Sequence, residues 1–527
     1  MRKIVFLASC FVSTLLYGQP SVLTIDSISN YKQMGWKAVV MQNDLITIAT
    51  MPAIGARIMQ YDLGSQSSIF TNPAEYSKTY TPSPTVAWHN FGGYKTWPAP
   101  ESGWHNTSGW NPPPTLDCGS YTYQIDFQTN DSIAVLVTSP IEKWFAPNIQ
   151  FERRATIYPG TSRVKMDQTM INQGSSPASW SMWSVTQQIV NHPSKKDYTN
   201  FWAYFPINPN SVFGSSGVNP QPSSTAWKGE IEPGIYGVQF SPTNSKLFAD
   251  PDKGWIAYAN VLDSVVYAKT FDIFEDQTYP NSNARIAVWV NGSPAYMEVE
   301  ITSPMVSLTA GGGRYTFTEN WWAAKVLAPV LDVNSVGAIA DKLYYDPTIH
   351  TLSARYGVFY AGTALVAFLD AQHKIVSEGL SHTVSPLAEF QLQESIAIPT
   401  GARTAELRIR NTKGELVGVL DSLDVSQYVS GVESNSSSIA SEFRLAQNYP
   451  NPFNGMTRLT VFISKPTIGS LKIYDVMGRE VALLHSGSFS AGEHHFIWNA
   501  ENIASGVYLA TLQVDKERQI QKMLYIR

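Results

Sequence analysis

Short runs in which apolar and polar residues alternate recur along most of the chain. They are rich in β-branched residues, and the clearest are Leu45–Thr50, Ser132–Thr138, Arg285–Val290 and Tyr296–Ile301. Clusters of Gly, Pro, Asn and Ser, which favour turns, separate these runs. Helical periodicity is almost absent, and Val336–Leu343 is the best short candidate for a helix. The pattern predicts an all-β protein.

The distribution of tryptophan suggests where the first domain ends. Fourteen of the 15 tryptophans lie between Trp36 and Trp322. The change in composition after Trp322 predicts a boundary near Ala328–Val330, and hence a first domain over residues 20–328. A second boundary is marked by the serine-rich segment 429–441, which has the composition of a flexible linker.

The segment between these boundaries, residues 329–428, repeats the strand pattern. Its strand signals are Arg355–Ala361, Ala364–Asp370, Ala388–Ile398, Ala405–Arg410 and Leu416–Leu420. Asn411–Gly414 is suited to a hairpin turn between the last two. About a hundred residues in this pattern are typical of an immunoglobulin- or fibronectin-like β-sandwich. No residues in it indicate chemistry, so we interpret it as a spacer.

Composition excludes some classes of protein. Charged residues make up 15% of the chain and aromatic residues 12%, the opposite of the balance in disordered chains. The net charge of -5 leaves no basic excess to neutralise phosphates. We therefore expect a folded protein of several domains with no nucleic-acid partner.

The amino terminus has the layout of a Sec signal peptide. Residues 1–19 contain a charged start and the apolar run Ile4–Leu16, which is too short for a stable membrane anchor. A lipoprotein cleavage box is matched at Cys10, but the apolar run continues beyond it, so we assign Cys10 to the signal core. Cleavage leaves Cys118 alone, which excludes an internal disulfide and a cysteine-based metal site. We predict an exported chain with no transmembrane segment, no metal and no cofactor.

The carboxyl-terminal segment, residues 442–527, again alternates between strand runs and turns. It resembles the C-terminal sorting domain of the type IX secretion system of Bacteroidetes. The matching residues are Tyr449-Pro450-Asn451-Pro452-Phe453-Asn454, Ile473-Tyr474-Asp475, Gly478-Arg479, Ser505-Gly506-Val507-Tyr508 and Lys522. The alternative is a generic immunoglobulin-like module, but the Sec signal at the other end of the chain favours a sorting domain. The resemblance implies the type IX secretion machinery as a partner, and a secreted or cell-surface protein.

Two clusters in the first domain carry candidate chemistry. The first extends from His89 to Glu101, contains Asn90, Lys95 and Trp97, and is followed by Trp104. Within one irregular loop, indole rings could stack on pyranoses while Lys and Glu bind hydroxyls. The alternative is that these prolines and tryptophans only pack a long loop.

The second cluster is the run Tyr296–Ile301. Strand alternation puts Glu298 and Glu300 on one face, with Met297 and Val299 on the other. Two carboxylates so arranged can bind a polyol, or one of them can act as a base. The alternative is a solvent-facing strand with ordinary surface charges.

Several segments together resemble a family of unknown function in the galactose mutarotase-like group. They are Gly55–Ile58, Gly92–Glu101, Trp183–Gln188, Tyr296–Pro304 and Glu319–Trp322. The resemblance covers nearly the whole first domain. It implies a large antiparallel β-supersandwich whose concave face binds a carbohydrate or polysaccharide.

The resemblance also implies roles for individual residues. Mutarotases use a histidine acid and a glutamate base, and here Glu298 or Glu300 fills the base position, with Arg57 as the substrate-binding arginine. The strand that carries the histidine in mutarotases reads Thr186-Gln187-Gln188 instead, which leaves His192 or His89 as the acid. We expect Gln187 and Gln188 to contact sugar.

We therefore hypothesise an exported carbohydrate-binding protein. If it is an enzyme, it epimerises or cleaves a sugar. The rival hypothesis is a surface adhesin or structural protein without a functioning sugar site.

Overall fold

A computed structural model describes residues 22–105, 110–191, 198–221, 228–428, 443–448, 451, 453–500, 503–514 and 517–526. The predicted signal peptide, the predicted linker 429–441, His192, Pro450 and Pro452 lie outside these residues. The described chain consists of antiparallel sheets, which confirms the all-β prediction. Its short helical segments are Tyr31–Gln33, Pro73–Glu75, Glu101–Gly103, Pro114–Cys118, Tyr198–Asn200, Pro280–Asn283 and Ser426–Tyr428.

The first domain is a large antiparallel β-supersandwich of two sheets, here named sheet A and sheet B. Sheet A has 12 strands in the described residues. Ten of them follow in the order Thr24–Ile28, Ala38–Gln42, Ile46–Met51, Arg57–Leu63, Tyr94–Ala99, Ala178–Ile189, Ala295–Thr302, Ile286–Gly292, Ser245–Ala249 and Val218–Gln221. The other two strands are Gln66–Ser67, which pairs with Arg57–Leu63, and Val306–Leu308, which pairs with Ala178–Ile189.

Sheet B has 10 strands in the described residues. Their order is Gly229–Glu232, Ile235–Gln239, Phe201–Pro206, Trp255–Asn260, Val265–Phe271, Gly313–Lys325, Val164–Asn172, Ile149–Ile157, Ile133–Thr138 and Thr122–Gln128. Period-2 burial is clearest in Ile149–Ile157, which buries every second residue along its first half, whereas Trp255–Asn260 is buried throughout. The facing apolar residues of sheets A and B form the main core.

The face of sheet A that points away from sheet B, here named the outer face, is also largely covered. Over its first strands, Trp36 and Phe91 pack with Met59 and Ala49 in a separate apolar cluster. The central strand Ala178–Ile189 is buried at nearly every position, so neither of its faces is simply solvated. Polar groups on this strand therefore need partners within the protein.

Residues 329–428 form a second sandwich. One sheet contains Asp332–Val333, Gly337–Asp346, Thr351–Val358 and Phe390–Ser395. The other contains Ile375–Glu378, Gly362–Leu369, Thr404–Asn411 and Leu416–Asp424, with His382–Val384 paired to Gly362–Leu369. Val336–Leu343, the candidate helix, falls almost entirely in the strand Gly337–Asp346, because tertiary pairing with Thr351–Val358 overrides its weak helical pattern.

The second sandwich packs against the back of sheet B. Trp322 of sheet B stacks on Phe359 with ring centroids 5.0 Å apart, and both belong to one apolar cluster with Trp255 and Val333. The backbone N–H groups of Ser162 and Lys325 donate to the carbonyl oxygens of Phe359 and Pro386. The segment interpreted as a spacer is thus packed over part of the first domain.

The carboxyl-terminal domain is a small third sandwich. One sheet contains Phe443–Leu445, Met456–Ile463 and Gly492–Asn499. The other contains Glu480–Phe489, Thr467–Asp475, Gly506–Val514 and Glu517–Tyr525. Leu459, Val461, Leu471 and Ile473 meet in its core, as their alternation predicts.

Candidate functional site

Three neighbouring strands of sheet A bring five of the predicted site residues together on its outer face: Lys95, Trp97, Gln187, Glu298 and Glu300. The segment containing Lys95 and Trp97, expected as an irregular loop, is the strand Tyr94–Ala99. It pairs with Ala178–Ile189, which pairs in turn with Ala295–Thr302. Val185 lies opposite both Lys95 and Glu300, and Gln187 lies opposite Glu298. Strand alternation therefore directs these side chains to one face.

Glu298 is at the centre of a buried polar cluster. Lys95 Nζ donates to Glu298 Oε1 over 2.9 Å, and Gln187 Nε2 donates to the same oxygen over 2.9 Å. Burial lowers the pKa of Lys95, and the Glu298 carboxylate opposes that shift. Glu298 is 8% exposed, so the interpretation of a solvent-facing strand is wrong.

Arg57 is held by a carboxylate that sequence analysis missed. Its Nη2 donates to Asp117 Oδ1 over 2.5 Å, and its Nη1 donates to the carbonyl oxygen of Gly92 over 3.1 Å. Trp97 Nε1 donates to the same Asp117 oxygen over 3.1 Å. Asp117 lies in the helical turn Pro114–Cys118, and Glu142 accepts a hydrogen bond from the N–H of Thr115 in that turn. Asp117 therefore joins Arg57 to Trp97.

Glu300 has a different environment. It is fully buried, accepts a hydrogen bond from Trp183 Nε1 over 2.7 Å, and lies 3.1 Å from Lys246 Nζ. Lys246 Nζ also lies 4.3 Å from the centre of the Trp183 ring. Burial raises the pKa of Glu300 to about 7, although Lys246 opposes the shift. This carboxyl group can therefore exchange a proton near neutral pH.

Three buried polar atoms of the site residues have no hydrogen-bond partner in the described part of the chain. They are Nε of Arg57, Oε1 of Gln187 and Oε1 of Glu300. Buried polar atoms are almost always paired with protein or ordered water, so a water or a ligand group is expected at each of these three atoms. Other described atoms share this property, among them Gln188 Oε1 and Arg153 Nε. Of the three site atoms, one is a donor and two are acceptors.

Tryptophans surround the end of the strand Tyr94–Ala99. The ring of Trp97 is buried, and its centre lies 5.3 Å from that of Trp183 and 5.8 Å from that of Trp110. Trp104 is also buried, and its Nε1 donates to the carbonyl oxygen of Pro98. Glu101 lies at the rim and accepts a hydrogen bond from Trp110 Nε1. Trp97 and Trp104 thus pack the site, while Trp110 faces outward.

Three predicted site residues are not joined to this group by described contacts. Gln188 points to the opposite face, because successive residues of a strand alternate, and it lines an inter-sheet cavity with Tyr267. Asn90 is used locally, where its side chain accepts a hydrogen bond from the N–H of Gly92. His89 stacks on Tyr80 with ring centroids 3.5 Å apart. His192 lies outside the described residues.

Asp117 and Lys246 are the site residues that sequence analysis missed. Asp117 lies in an apolar context, Pro114-Thr115-Leu116-Asp117-Cys118, where an unpaired carboxylate would be costly. Lys246 shares a strand face with Phe248 in Ser245–Ala249. At both positions, the sequence feature that could have indicated a buried site residue is an ionisable side chain within an apolar run.

The predicted sorting residues stabilise turns and strand edges of the third sandwich. Asp475 accepts hydrogen bonds from the N–H groups of Met477 and Arg479 and pairs with Arg479 Nε at 2.7 Å, while Gly478 has φ 77° in the same turn. Gly506 opens the strand Gly506–Val514. Further hydrogen bonds join Tyr508 Oη to Ala504 and Asn451 to the backbone of Lys522 and Leu524.

Two kinds of feature are absent from the residues that the structure describes. No group of three or more His, Cys, Asp or Glu side chains is arranged to hold a metal ion. No helix in the ranges given above is long and apolar enough to cross a membrane.

The third sandwich matches a known family. Residues 447–527 match the family model described as the secretion system C-terminal sorting domain. The resemblance found in the sequence is confirmed, and the match indicates export to the cell surface by type IX secretion. No curated protein sequence is significantly similar to the chain.

The first domain is similar in architecture to several solved structures. A Synechocystis protein is 10% identical, with a TM-score of 0.38, and the match covers 62% of this chain and 100% of that one. A galactose mutarotase-like protein from Clostridium acetobutylicum is 11% identical, with a TM-score of 0.37 and coverage of 58% and 99%. A galactose mutarotase related enzyme from Lactobacillus acidophilus is 8% identical, with a TM-score of 0.35 and coverage of 55% and 98%. Similarities at this level carry no information on substrate or reaction.

Proposed function

We propose that the outer face of sheet A binds carbohydrate, in a site formed by Arg57, Lys95, Gln187, Glu298 and Glu300. The observation that carries this proposal is the set of three buried polar atoms without partners, on Arg57, Gln187 and Glu300. Leaving such atoms unpaired costs about 1–3 kcal/mol each. A bound ligand with several hydroxyl groups would remove that cost.

The chemistry of these atoms suits a polyol. A sugar hydroxyl can donate to Glu300 Oε1 or Gln187 Oε1 and accept from Arg57 Nε, because each hydroxyl is both donor and acceptor. Lys95 and Asp117 hold the neighbouring groups in place through the contacts at 2.9 Å and 2.5 Å. The site is thus organised before the ligand arrives, which favours affinity.

Glu300 makes proton transfer a further part of the proposal. Its pKa of about 7 differs from that of an ordinary carboxyl group, whereas Glu298 is paired with Lys95. Two carboxyl groups in different environments are the usual arrangement for acid–base work on sugars. Epimerisation or bond cleavage would then use Glu300 and Glu298 for proton transfer.

One observation favours the rival function of a structural protein or adhesin. Each buried charge of the site has an internal partner, in the pairs Arg57–Asp117, Lys95–Glu298 and Lys246–Glu300. Such pairs can hold a sheet face together without any ligand. In that case, the wild-type chain would bind no sugar, and substitutions in the site would change only its stability.

A glycan array followed by calorimetric titration separates the two functions. The mature full-length chain should bind at least one glycan. Gln187→Leu removes the unpartnered acceptor and the donor to Glu298, and it should weaken binding about tenfold or more. Gln391→Leu, on an exposed surface of the second sandwich, is the control and should leave the affinity unchanged. Glu300→Gln should reduce any turnover more than binding. Absence of glycan binding by the wild-type chain favours the structural role.

We also propose that the amino-terminal segment is a cleaved Sec signal and that export ends at the cell surface or in the medium. Deletion of residues 447–527 should then trap the remaining chain in the periplasm. Fractionation and immunoblotting of cells that carry the deletion would measure this. Normal appearance of the truncated chain at the surface would contradict the proposal.

A further inference from the structure

Trp110 is an exposed aromatic side chain at the edge of the proposed sugar site. It is 49% exposed, although large aromatic side chains usually bury most of their surface. Its Nε1 donates to the Glu101 carboxylate at the rim of the site. The ring nitrogen is therefore already occupied, which leaves the apolar ring carbons for contact with a ligand.

Other tryptophans hold Trp110 in place. Its ring centre lies 5.2 Å from that of Trp88, 5.8 Å from that of Trp97 and 6.1 Å from that of Trp104. The corresponding interplanar angles are 88°, 73° and 52°, so none of these three rings stacks parallel on Trp110. The indole is thus fixed by edge contacts while much of its surface stays available. A side chain fixed in this way loses little conformational entropy when a ligand stacks on it.

Trp110 is continuous with the polar site through Trp97. The Trp97 ring lies 5.8 Å from Trp110 and has Lys95 Nζ 5.1 Å from its centre. Lys95 in turn donates to Glu298. A chain of contacts from Glu298 through Lys95 and Trp97 therefore ends at Trp110, which places the exposed indole beside the polar site.

We propose that Trp110 is a stacking platform for a second sugar unit, so that the ligand is an oligosaccharide or polysaccharide chain. The proposal rests on the proposed function, because it takes the polar site as the position of the first unit. The C–H face of a pyranose packs on the indole, and this contact tolerates different sugars because it uses no directional hydrogen bond. Glu101 acts as a positioning residue that orients the indole.

Matched sugar pairs test the platform on the mature full-length chain. The probes are glucose with cellohexaose and maltohexaose, mannose with mannohexaose, xylose with xylohexaose, and galacturonic acid with its linear hexamer, titrated by calorimetry. Wild type should bind one hexasaccharide at least about tenfold more tightly than its monosaccharide. Trp110→Ala should lose most of that advantage and leave the monosaccharide affinity unchanged.

Tyr344→Ala is the matched control, because Tyr344 is a comparably exposed aromatic residue, 43% exposed, on the second sandwich. It should leave both affinities unchanged, and thermal melts should show both variants folded. If wild type binds a monosaccharide and Trp110→Ala keeps the wild-type affinity for the hexasaccharide, the platform is rejected while the proposed sugar site stands. Equal wild-type affinity for a monosaccharide and its hexamer would also reject it. If wild type binds none of the probes, the proposed function fails and the platform with it.

Discussion

At the scale of single residues, Asp117 shows how one buried carboxylate can organise the outer face of sheet A. It accepts hydrogen bonds from both Arg57 and Trp97, and all three side chains are buried. Asp117→Asn keeps an oxygen acceptor but leaves the Arg57 charge unpaired. Breaking a buried pair in this way costs about 3–5 kcal/mol.

We therefore predict a fall of about 3–5 kcal/mol in the free energy of unfolding of the first domain, measured by urea denaturation with tryptophan fluorescence. The control is Asp131→Asn, because Asp131 pairs with Lys413 while their side chains are 81% and 64% exposed. Exposed pairs contribute at most about 1 kcal/mol. Similar losses in the two variants would mean that the Asp117 pair is not specially stabilising.

Glu300 gives a prediction about pH. Its pKa is about 7 in the folded chain, whereas the ordinary pKa of a glutamate side chain is 4.5. The folded state therefore binds this proton more tightly than the unfolded state does. The stability that this group contributes is fully present below pH 4.5 and is lost as pH rises through about 7. The melting temperature of wild type should therefore fall further between pH 5 and pH 8 than the melting temperature of Glu300→Gln does.

Melting curves at the two pH values measure that difference. Glu152→Gln, a partly exposed carboxylate of sheet B paired with Arg314, is the control and should keep the wild-type pH dependence. Parallel behaviour of wild type and Glu300→Gln would show that Glu300 does not titrate in this range.

At the scale of elements, the turn before Arg57 fits closely against the helical turn Pro114–Cys118. Gly55 has φ 71°, and a Cβ at this position would lie 2.2 Å from the carbonyl oxygen of Asp117. Gly55→Ala should therefore separate Arg57 from Asp117, destabilise the first domain and weaken glycan binding. Gly311 has a similar φ of 70° with nothing within 4 Å of a Cβ, so Gly311→Ala carries only the backbone strain.

That strain costs about 1–2 kcal/mol. The loss in free energy of unfolding caused by Gly55→Ala, measured by chemical denaturation, should be clearly larger. Glycan titration gives the second measurement, in which only Gly55→Ala should lose affinity. Equal effects of the two substitutions on stability would show that the close approach to Asp117 is not important.

Prediction from sequence succeeded where local alternation decides the structure. The faces of the strand that contains Glu298 and Glu300 followed from period-2 alternation alone. It failed at Tyr94–Ala99, because two prolines and two glycines close to this run suggested a loop, while pairing with Ala178–Ile189 makes it a central strand. The burial of Glu298 was also not predictable, since its partner Lys95 is 203 residues away in the sequence.

At the scale of the whole molecule, the second sandwich packs on the first domain. It covers apolar residues of sheet B, including Trp255 and Trp322, with Val333 and Phe359. A fragment of residues 20–328 would expose this surface to water. Buried apolar area contributes about 25 cal/mol per Å², so we predict that the fragment aggregates or melts far below a fragment of residues 20–428.

Size-exclusion chromatography and thermal melting of the two fragments would measure this difference. A substitution offers a second comparison: Phe359→Ala should destabilise the longer fragment, because it removes the ring stacked on Trp322. Equal stability of the two fragments would instead support the spacer that composition suggested. Sequence alone could not reveal this contact, because apolar residues of a strand do not show which partner covers them.

Sugar binding on the outer face of sheet A would be observed most directly in a crystal structure of the mature chain with the glycan that binds in the array. We predict sugar hydroxyls within hydrogen-bond distance of Glu300 Oε1, Gln187 Oε1 and Arg57 Nε, the three atoms that lack partners in the described chain. A sugar bound at another surface, with these three atoms still without a ligand contact, would contradict the proposed site.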